Sequence, residues 1–299
     1  MNGTLAVARY TLLELSRRRL LLVFFVIGVL GIAAIGLALK IAPVSTGGGF
    51  GGPPGTAQPD PAAVSRLIEL YFVRTIIGVV GFFALLIAFG IGMTAIYHDL
   101  ESGAAIAIFS KPVSRLAFAA GKVLAAMIAM IAIVGLLGLE ARLLMALFGG
   151  GLEGAMWVES VAAVANATLL MLIVLALSTW MNNIIAAVVA FIYNFAAGVI
   201  VAIHSQLGNV GVLGDNAVIR TVFTILYWLV PHQLMSDAQK QIAKAQLEMY
   251  PPMGPGAPSP DQILSSVPGA SGTQDILWWV FGVAVMAALV YLAVRRKQV

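Results

Sequence analysis

The amino-acid sequence predicts an all-α membrane protein with six transmembrane helices. Of the 299 residues, 61% are hydrophobic and only 10% are charged, whereas soluble domains carry about 25% charged residues. The chain contains several uncharged segments, each of roughly the 20 residues that a helix needs to cross a bilayer. Cysteine is absent, which excludes disulfides, thiolate metal sites and cysteine nucleophiles.

Residues 1–19 are predicted to form a cytoplasmic amphipathic helix that lies at the membrane surface. Glu14 and Arg18 lie four residues apart, where they form a favourable pair on a helix. The first span, 20–42, begins with an uncharged run that is too long for the core of a signal peptide. The apolar positions of the amphipathic helix recur at helical spacing: Leu5, Ala8, Leu12 and Leu15.

Three further segments complete the first half of the chain. Residues 43–73 are predicted to form an outer loop, because their first part is rich in Gly and Pro, and a short helix over Ala62–Arg74 is expected to lead into the second span. Residues 74–97 follow as the second span. A cytoplasmic loop, 98–122, then leads into the third span, 123–148.

The uncharged run between Glu159 and His204 predicts a helical hairpin in the membrane. A continuous helix over this run would measure roughly 66 Å, about twice the ~30 Å thickness of the hydrocarbon layer. The polar pair Asn182-Asn183 is the best candidate for the turn. The fourth and fifth spans are therefore placed at 158–181 and 184–203.

The largest region outside the spans, 204–274, is predicted to contain short or re-entrant helices on the outer side. Ala217–Val230 is apolar but too short for a normal crossing. Gln233–Met249 has the spacing of a short amphipathic helix, and Ser259–Gln262 has the signature of a capped helix start. The sixth span is placed at 275–294.

The basic residues predict that both termini and the 98–122 loop are cytoplasmic, because Lys and Arg accumulate on the cytoplasmic side of membrane proteins. Ten of the 17 basic residues fall on that side: Arg9, Arg17, Arg18, Arg19, Lys111, Arg115, Lys122, Arg295, Arg296 and Lys297.

Catalytic and nucleotide-binding motifs are missing from the sequence. Gly121-Lys122 is followed by Val123 and has Leu116 where the first glycine of a P-loop belongs, so no ATP site is expected in this chain. The sequence contains neither H-E-x-x-H nor G-x-S-x-G. The sequence has no basic patch interleaved with aromatic residues, so it does not indicate nucleic-acid binding. We therefore expect neither a catalytic site, nor a metal site, nor a bound cofactor.

Polar residues inside the predicted spans have two interpretations. Asn166, Asn194 and Thr94 are candidates for lining a cavity. Alternatively, they form hydrogen bonds between helices, each worth about 0.6–2 kcal/mol. Two glycine pairs are expected to permit close helix packing, Gly78/Gly81 and Gly135/Gly138. Three histidines near the membrane boundaries are predicted to be interfacial side chains: His98, His204 and His232.

The cytoplasmic loop contains Asp99-Leu100-Glu101-Ser102-Gly103, then Lys111-Pro112-Val113-Ser114-Arg115, then Gly121-Lys122. This series resembles the cytoplasmic loop of the permeases of type-2 ABC exporters. The amphipathic helix before the first span and the segment Tyr227–His232 are also similar to that family. The resemblance extends over the six-span layout, and the loop is its most specific part.

The resemblance implies that the loop forms a coupling helix, which sits in a cleft of a separate ATPase. Ile106 and Phe109 then provide a small apolar face between charged flanks. A different interpretation of the residues is that this face packs under the protein's own helices. The coupling residues implied are Asp99, Glu101, Gly103, Ile106, Phe109, Pro112 and Arg115.

The sequence and the resemblance together predict the membrane subunit of an ABC exporter in the cytoplasmic membrane of a bacterium or archaeon. The expected partners are cytoplasmic ATPase subunits that bind ATP and Mg²⁺, a second copy or a related permease, and membrane lipids. Two alternatives remain open. One is a membrane scaffold or assembly factor that transports nothing. The other is a secondary transporter, which is expected to carry charged residues within its spans, and the sequence analysis finds such residues missing.

Overall fold

The computed structural model describes residues 3–41, 61–96, 113–147, 153–206, 217–230, 232–249, 259–267 and 269–296. These residues form helices and connecting segments, and no strand occurs among them. The helices are α1 (Gly3–Ser16), α2 (Arg19–Ile41), α3 (Pro61–Thr94), α4 (Arg115–Ala146), α5 (Glu153–Trp180), α6 (Asn183–Gln206), α7 (Ala217–Leu229), α8 (Ala238–Met249), α9 (Pro260–Ser266) and α10 (Thr273–Arg296).

Six of the described helices are long and apolar enough to cross a membrane, namely α2, α3, α4, α5, α6 and α10. The prediction of an all-helical chain with six helices suited to cross a membrane is therefore confirmed for the part of the chain that the structure describes. Each of these helices overlaps one predicted span.

The six long helices form a bundle with a central group of three. α3, α4 and α5 pack against one another. α2 lies against α3 and α4, α6 against α5 and α3, and α10 against α5 and α4. In the apolar window of α5, 61% of the residues are buried, against 17% in α10. The outer helices therefore present most of their apolar side chains away from the bundle.

The hairpin between α5 and α6 is present, with its turn at the predicted asparagine pair. α5 ends at Trp180 and α6 begins at Asn183. The side-chain oxygen of Asn182 accepts a hydrogen bond from the backbone N–H of Ile184 at 2.9 Å. Asn182 therefore caps α6, because an N-cap side chain satisfies a backbone donor that has no partner inside the helix.

Two helices are longer than the predicted spans. α3 begins at Pro61, so the end of the predicted outer loop 43–73 is helical. α4 begins at Arg115, so residues 115–122 of the predicted cytoplasmic loop are also helical. The hydroxyl of Ser114 accepts a hydrogen bond from Ala117 N at 3.1 Å and caps α4. Charged residues end an uncharged run, but they do not end a helix.

The predicted face of α1 is confirmed in part: Ala8 and Leu15 are buried and Leu12 packs against the core. α1 also buries Val7 and Thr11, whereas the predicted Leu5 is 55% exposed. The Thr11 hydroxyl donates to Val7 O at 3.0 Å, so this polar side chain is satisfied inside the contact. The face is set by packing against α4, which the apolar spacing of α1 alone did not reveal.

Only one glycine of the two predicted pairs permits close packing. A Cβ atom at Gly138 would lie 2.6 Å from the Cβ of Ser160, so α4 and α5 approach closely there. A Cβ atom at Gly78, Gly81 or Gly135 would meet nothing within 4 Å. The prediction was wrong for these three positions, because spacing within one helix does not show where its neighbour passes.

The region between α6 and α10 contains α7, α8 and α9. The capped start predicted for α9 is confirmed, since Ser259 and Gln262 form a reciprocal capping box. The predicted helix Gln233–Met249 begins only at Ala238. Residues 232–236, which we call the extended segment, are not helical. Side chains of α5 and of the residues before α10 bind the backbone of this segment.

Candidate functional site

A group of charged residues joins α1 to α4 at the end of the bundle where α1 lies. The Lys122 side chain is fully buried, and its Nζ lies 3.4 Å from Glu14 Oε2. The other carboxylate oxygen of Glu14 accepts from Arg18. The rings of Tyr10 and Phe118 lie 5.7 and 5.9 Å from Lys122 Nζ, in the range of cation–π attraction. We call Glu14, Arg18 and Lys122 the α1 clamp.

Gly121 explains why α1 comes so close to α4. A Cβ atom at this position would lie 2.7 Å from Thr4 O and 2.8 Å from Val7 Cβ. The Gly-Lys pair of the loop motif therefore contacts α1 in two ways: Gly121 lets the two helices approach closely, and Lys122 forms an ion pair. Sequence analysis placed Lys122 on the loop and missed its pairing with Glu14, since the two residues are far apart in the chain.

Other contacts tie further helices to the same end of the bundle. Arg115, one of the predicted coupling residues, donates through Nη1 to Arg295 O at 2.7 Å and so links the start of α4 to the end of α10. Arg18 Nη2 lies 3.5 Å from Thr94 O at the end of α3. The Thr94 hydroxyl donates to Gly90 O at 2.6 Å. Thr94 thus lies at the α1 end of the bundle.

The remaining predicted coupling residues lie outside the described residues. They are Asp99, Glu101, Gly103, Ile106, Phe109 and Pro112. Their role therefore stays a prediction. Of the 98–122 loop and its flanks, the structure describes the end of α3 and the last residues of the loop, which lead into and begin α4.

Polar side chains of the spans hold the extended segment 232–236. Asn166 of α5 donates to Leu234 O at 2.8 Å and accepts from Leu234 N at 2.7 Å. Gln233 Nε2 donates to Asn194 Oδ1 of α6 at 2.8 Å. Ser236 donates its hydroxyl to the Glu159 carboxylate. Asn166 therefore satisfies both backbone groups of a residue that no helix or sheet supports.

Met235 is satisfied from the other side of the segment. Its N–H donates to Ser271 Oγ at 2.8 Å, and its carbonyl accepts from Ser271 N at 2.9 Å. Irregular backbone at the depth of the hydrocarbon layer is tolerated only where its polar groups find partners in the protein or in a water-filled cavity. These contacts supply such partners.

Two adjoining cavities lie beside the extended segment. The smaller, of about 160 Å³, lies between α3, α5 and α6, and the larger, of about 310 Å³, lies between α5, α6, α8 and the segment itself. Glu159, Asn166 and Gln233 line both cavities, and Asn194 lines the smaller one. The structure thus brings together two of the asparagines proposed from sequence, and it adds Glu159 and Gln233, which sequence analysis did not single out.

A third polar cluster joins α7 to the start of α10. His232 is almost completely buried, and its Nε2 lies 3.2 Å from Asp275 Oδ1. Its Nδ1 lies 2.9 Å from Tyr227 O, and the Tyr227 hydroxyl donates to Asp275 Oδ1 at 2.8 Å. His204 stacks on Tyr227 with 4.0 Å between ring centroids. Sequence analysis did not find this carboxylate partner of the buried His232.

Burial raises the pKa of Tyr227 above its ordinary value, and the hydrogen bond to Asp275 and the negative charge of that carboxylate raise it further. Tyr227 therefore remains a hydrogen-bond donor throughout the neutral range. Tyr227 and His232 thus both contact the Asp275 carboxylate of α10.

Among the described residues, no group of three or more His, Asp and Glu side chains is arranged to hold a metal ion. Comparison of the chain with protein-family models finds no match, and a search of curated proteins finds none either. The site must therefore be interpreted from its own geometry, which combines an anchored helix at one end of the bundle with polar cavities among the spans.

Proposed function

We propose that this chain is the membrane-spanning subunit of an ATP-binding cassette exporter and that a separate ATPase subunit drives it. In this proposal the α1 end of the bundle faces the cytoplasm, and the loop between α3 and α4 contacts the ATPase. Two copies, or one copy and a related permease, form the transport unit.

The observation that carries this proposal is the α1 clamp. The buried Lys122 lies just inside α4, after the loop, and its partner Glu14 lies on α1. A force applied to the loop therefore acts on α1 and α4 together. Arg115 adds a direct link to α10. A transmission site needs such links, because a push on one loop must shift packed helices as units.

The absence of a P-loop from the sequence agrees with a chain that takes its energy from a partner. The polar cavities beside α5 and α6 supply a place for a transported molecule. Binding cavities are commonly found between the helices of bundles.

The test is to co-express the chain with a P-loop ATPase encoded beside its gene, purify the complex in lipid nanodiscs and measure ATP hydrolysis. We expect the ATPase to co-purify. Glu101→Arg and Phe109→Asp should release it, whereas Glu248→Arg, on the exposed face of α8, should not. The proposal fails if no ATPase associates, or if both loop variants retain a fully active ATPase.

A second candidate function, a secondary transporter, is favoured by one observation. Glu159 lies in a membrane-spanning helix and lines both cavities, and ionisable groups in such positions often mark ion or proton pathways. Transport that follows an imposed proton gradient in vesicles without any ATPase would select this function. Transport that requires the ATPase and ATP would exclude it.

A further inference from the structure

Among the described residues that line the two cavities, Glu159 alone carries a formal charge, and it lines both. None of the described residues that line either cavity is Lys, Arg or His. One carboxylate oxygen of Glu159 accepts from the hydroxyl of Ser236, which is a neutral donor. A carboxylate in such a place attracts a cation, because its attraction for an opposite charge is much stronger beside low-dielectric walls than in water.

Two acceptor oxygens remain for a ligand beside the amide N–H groups of Asn194, whose hydrogen bond to Gln233 uses only its oxygen. Within the described residues, Glu159 Oε1 and Gln233 Oε1 receive no hydrogen bond, since the recorded bonds of these side chains use Glu159 Oε2 and Gln233 Nε2. Both residues line both cavities. Two acceptor oxygens, one of them charged, match the several N–H donors of an ammonium group.

The rest of the described lining of the smaller cavity is apolar. It consists of small and aliphatic residues from α3 and α5: Gly81, Ala84, Leu85, Ala163, Ala167 and Leu170. Its volume of about 160 Å³ suits a compact apolar group rather than a large ring system. A ligand that fills it therefore has a charged donor at one end and a hydrocarbon body at the other.

We propose that the cavity binds an amphiphilic primary amine, with the ammonium group at Glu159 and Gln233 and the hydrocarbon body against the α3–α5 wall. As a transport substrate, this ligand class rests on the proposed function, whereas binding itself does not require it. The same chemistry occurs in a free alkylamine and in the headgroup of an ethanolamine lipid, so the experiment must separate these two sources.

The probe is radiolabelled octylamine, measured by equilibrium dialysis against the full chain in phosphatidylcholine nanodiscs, with empty nanodiscs subtracted. Octanol and octanoate are matched probes that change only the headgroup. We expect saturable binding of octylamine and at least about tenfold weaker binding of the other two, the effect of losing one hydrogen bond to a charged group. Equal binding of octanol, or tighter binding of octanoate, would overturn the proposal.

Glu159→Gln tests the carboxylate and keeps an acceptor for Ser236. We expect it to weaken octylamine binding about tenfold or more. Glu248→Gln makes the same change on the exposed face of α8 and should leave binding unchanged. Wild-type affinity in Glu159→Gln would contradict the proposal.

A second pair of variants tests the cavity without altering its charge. A Cβ atom at Gly81 or at Gly78 meets nothing within 4 Å, but only Gly81 lines the cavity. Gly81→Leu should therefore abolish binding, whereas Gly78→Leu should not. If Glu159→Gln does not fold, this pair decides alone: retained binding in Gly81→Leu would overturn the proposal.

Adding phosphatidylethanolamine to the nanodiscs identifies the source of the amine. Displacement of octylamine by this lipid in the wild-type chain, and a smaller displacement in Glu159→Gln, would support a lipid ligand. Binding that the lipid leaves unchanged would support a free amine. An associated ATPase without octylamine binding would refute the ligand class alone, and octylamine binding without any ATPase would refute the proposed function alone.

Discussion

Neutralising Glu14 and neutralising Lys122 should weaken the docking of α1 on α4 to very different extents. Glu14→Gln leaves the fully buried cation of Lys122 without the carboxylate that lies 3.4 Å away. Removing one partner of a buried ion pair costs about 3–5 kcal/mol. Because the Glu14 side chain is 21% exposed, we expect the lower end of this range, ~3 kcal/mol of docking free energy.

Lys122→Met should cost much less. It removes the buried charge and keeps a long apolar stem in the same space. Glu14 remains paired with Arg18 and is partly exposed, so its charge stays solvated. Lys122→Met loses the attraction of the ammonium group to the Tyr10 and Phe118 rings, about 0.5–2 kcal/mol. It also removes the free-energy cost of burying that charge, which offsets this loss. We expect a net cost below ~1 kcal/mol.

Hydrogen exchange measured by mass spectrometry on the full chain in nanodiscs distinguishes these outcomes. Undocking of α1 by ~3 kcal/mol corresponds to roughly 100-fold faster exchange of its amides in Glu14→Gln. Lys122→Met should accelerate exchange less than about fivefold, and the double variant should recover most of the protection. Arg9→Gln, an exposed change on the same helix, is the control.

The reasoning is refuted if Lys122→Met accelerates exchange as much as Glu14→Gln does. That result would show that van der Waals packing at this contact, rather than compensation of a buried charge, keeps α1 on α4. A double variant that is worse than either single variant would lead to the same conclusion.

Three further predictions concern packing, the extended segment and the α7–α10 contact. Gly121→Ala should lower the thermal midpoint by the equivalent of about 1–3 kcal/mol, whereas Gly135→Ala, which meets open space, should be neutral or stabilising by up to ~1 kcal/mol; equal effects would contradict this. Asn166→Leu should cost about 1–3 kcal/mol and accelerate exchange in 232–236, and unchanged exchange there would exclude the role given to the asparagine. Because the pKa of Tyr227 is raised, its contribution to stability is complete below pH ~10 and is lost as pH rises through the folded-state pKa. Above pH ~10 the thermal midpoint of the wild-type protein should therefore fall more steeply than the thermal midpoint of Tyr227→Phe. Parallel curves would refute the assignment.

Local features of this chain were predictable from the sequence. The uncharged runs located the six long helices, because a helix must cover the hydrocarbon layer with apolar residues. Asn182 marked the turn between α5 and α6, and Ser259 with Gln262 marked the start of α9. Each of these features depends on residues within one or two helical turns, so no distant partner needs to be known.

The candidate site was predictable only in part. Asn166 and Asn194 were singled out as polar groups inside apolar spans, and both line the smaller cavity. Gln233 and the extended segment were missed, since the apolar spacing from Leu234 onward is compatible with a helix. The chain is not helical at Leu234, and the side chain of Asn166 on α5, 68 positions away in the chain, binds the backbone of this residue.

The sequence by itself determined that the chain is helical and that six of its helices are long and apolar enough to cross a membrane, because these features follow from composition and length. Only the tertiary structure decided which glycine is covered by a neighbour, which other residues of α1 are buried and which carboxylate pairs with Lys122. These features depend on the relative positions of helices. Gly121 and Gly135 look equivalent in the sequence of α4, but α1 passes over the first and open space adjoins the second.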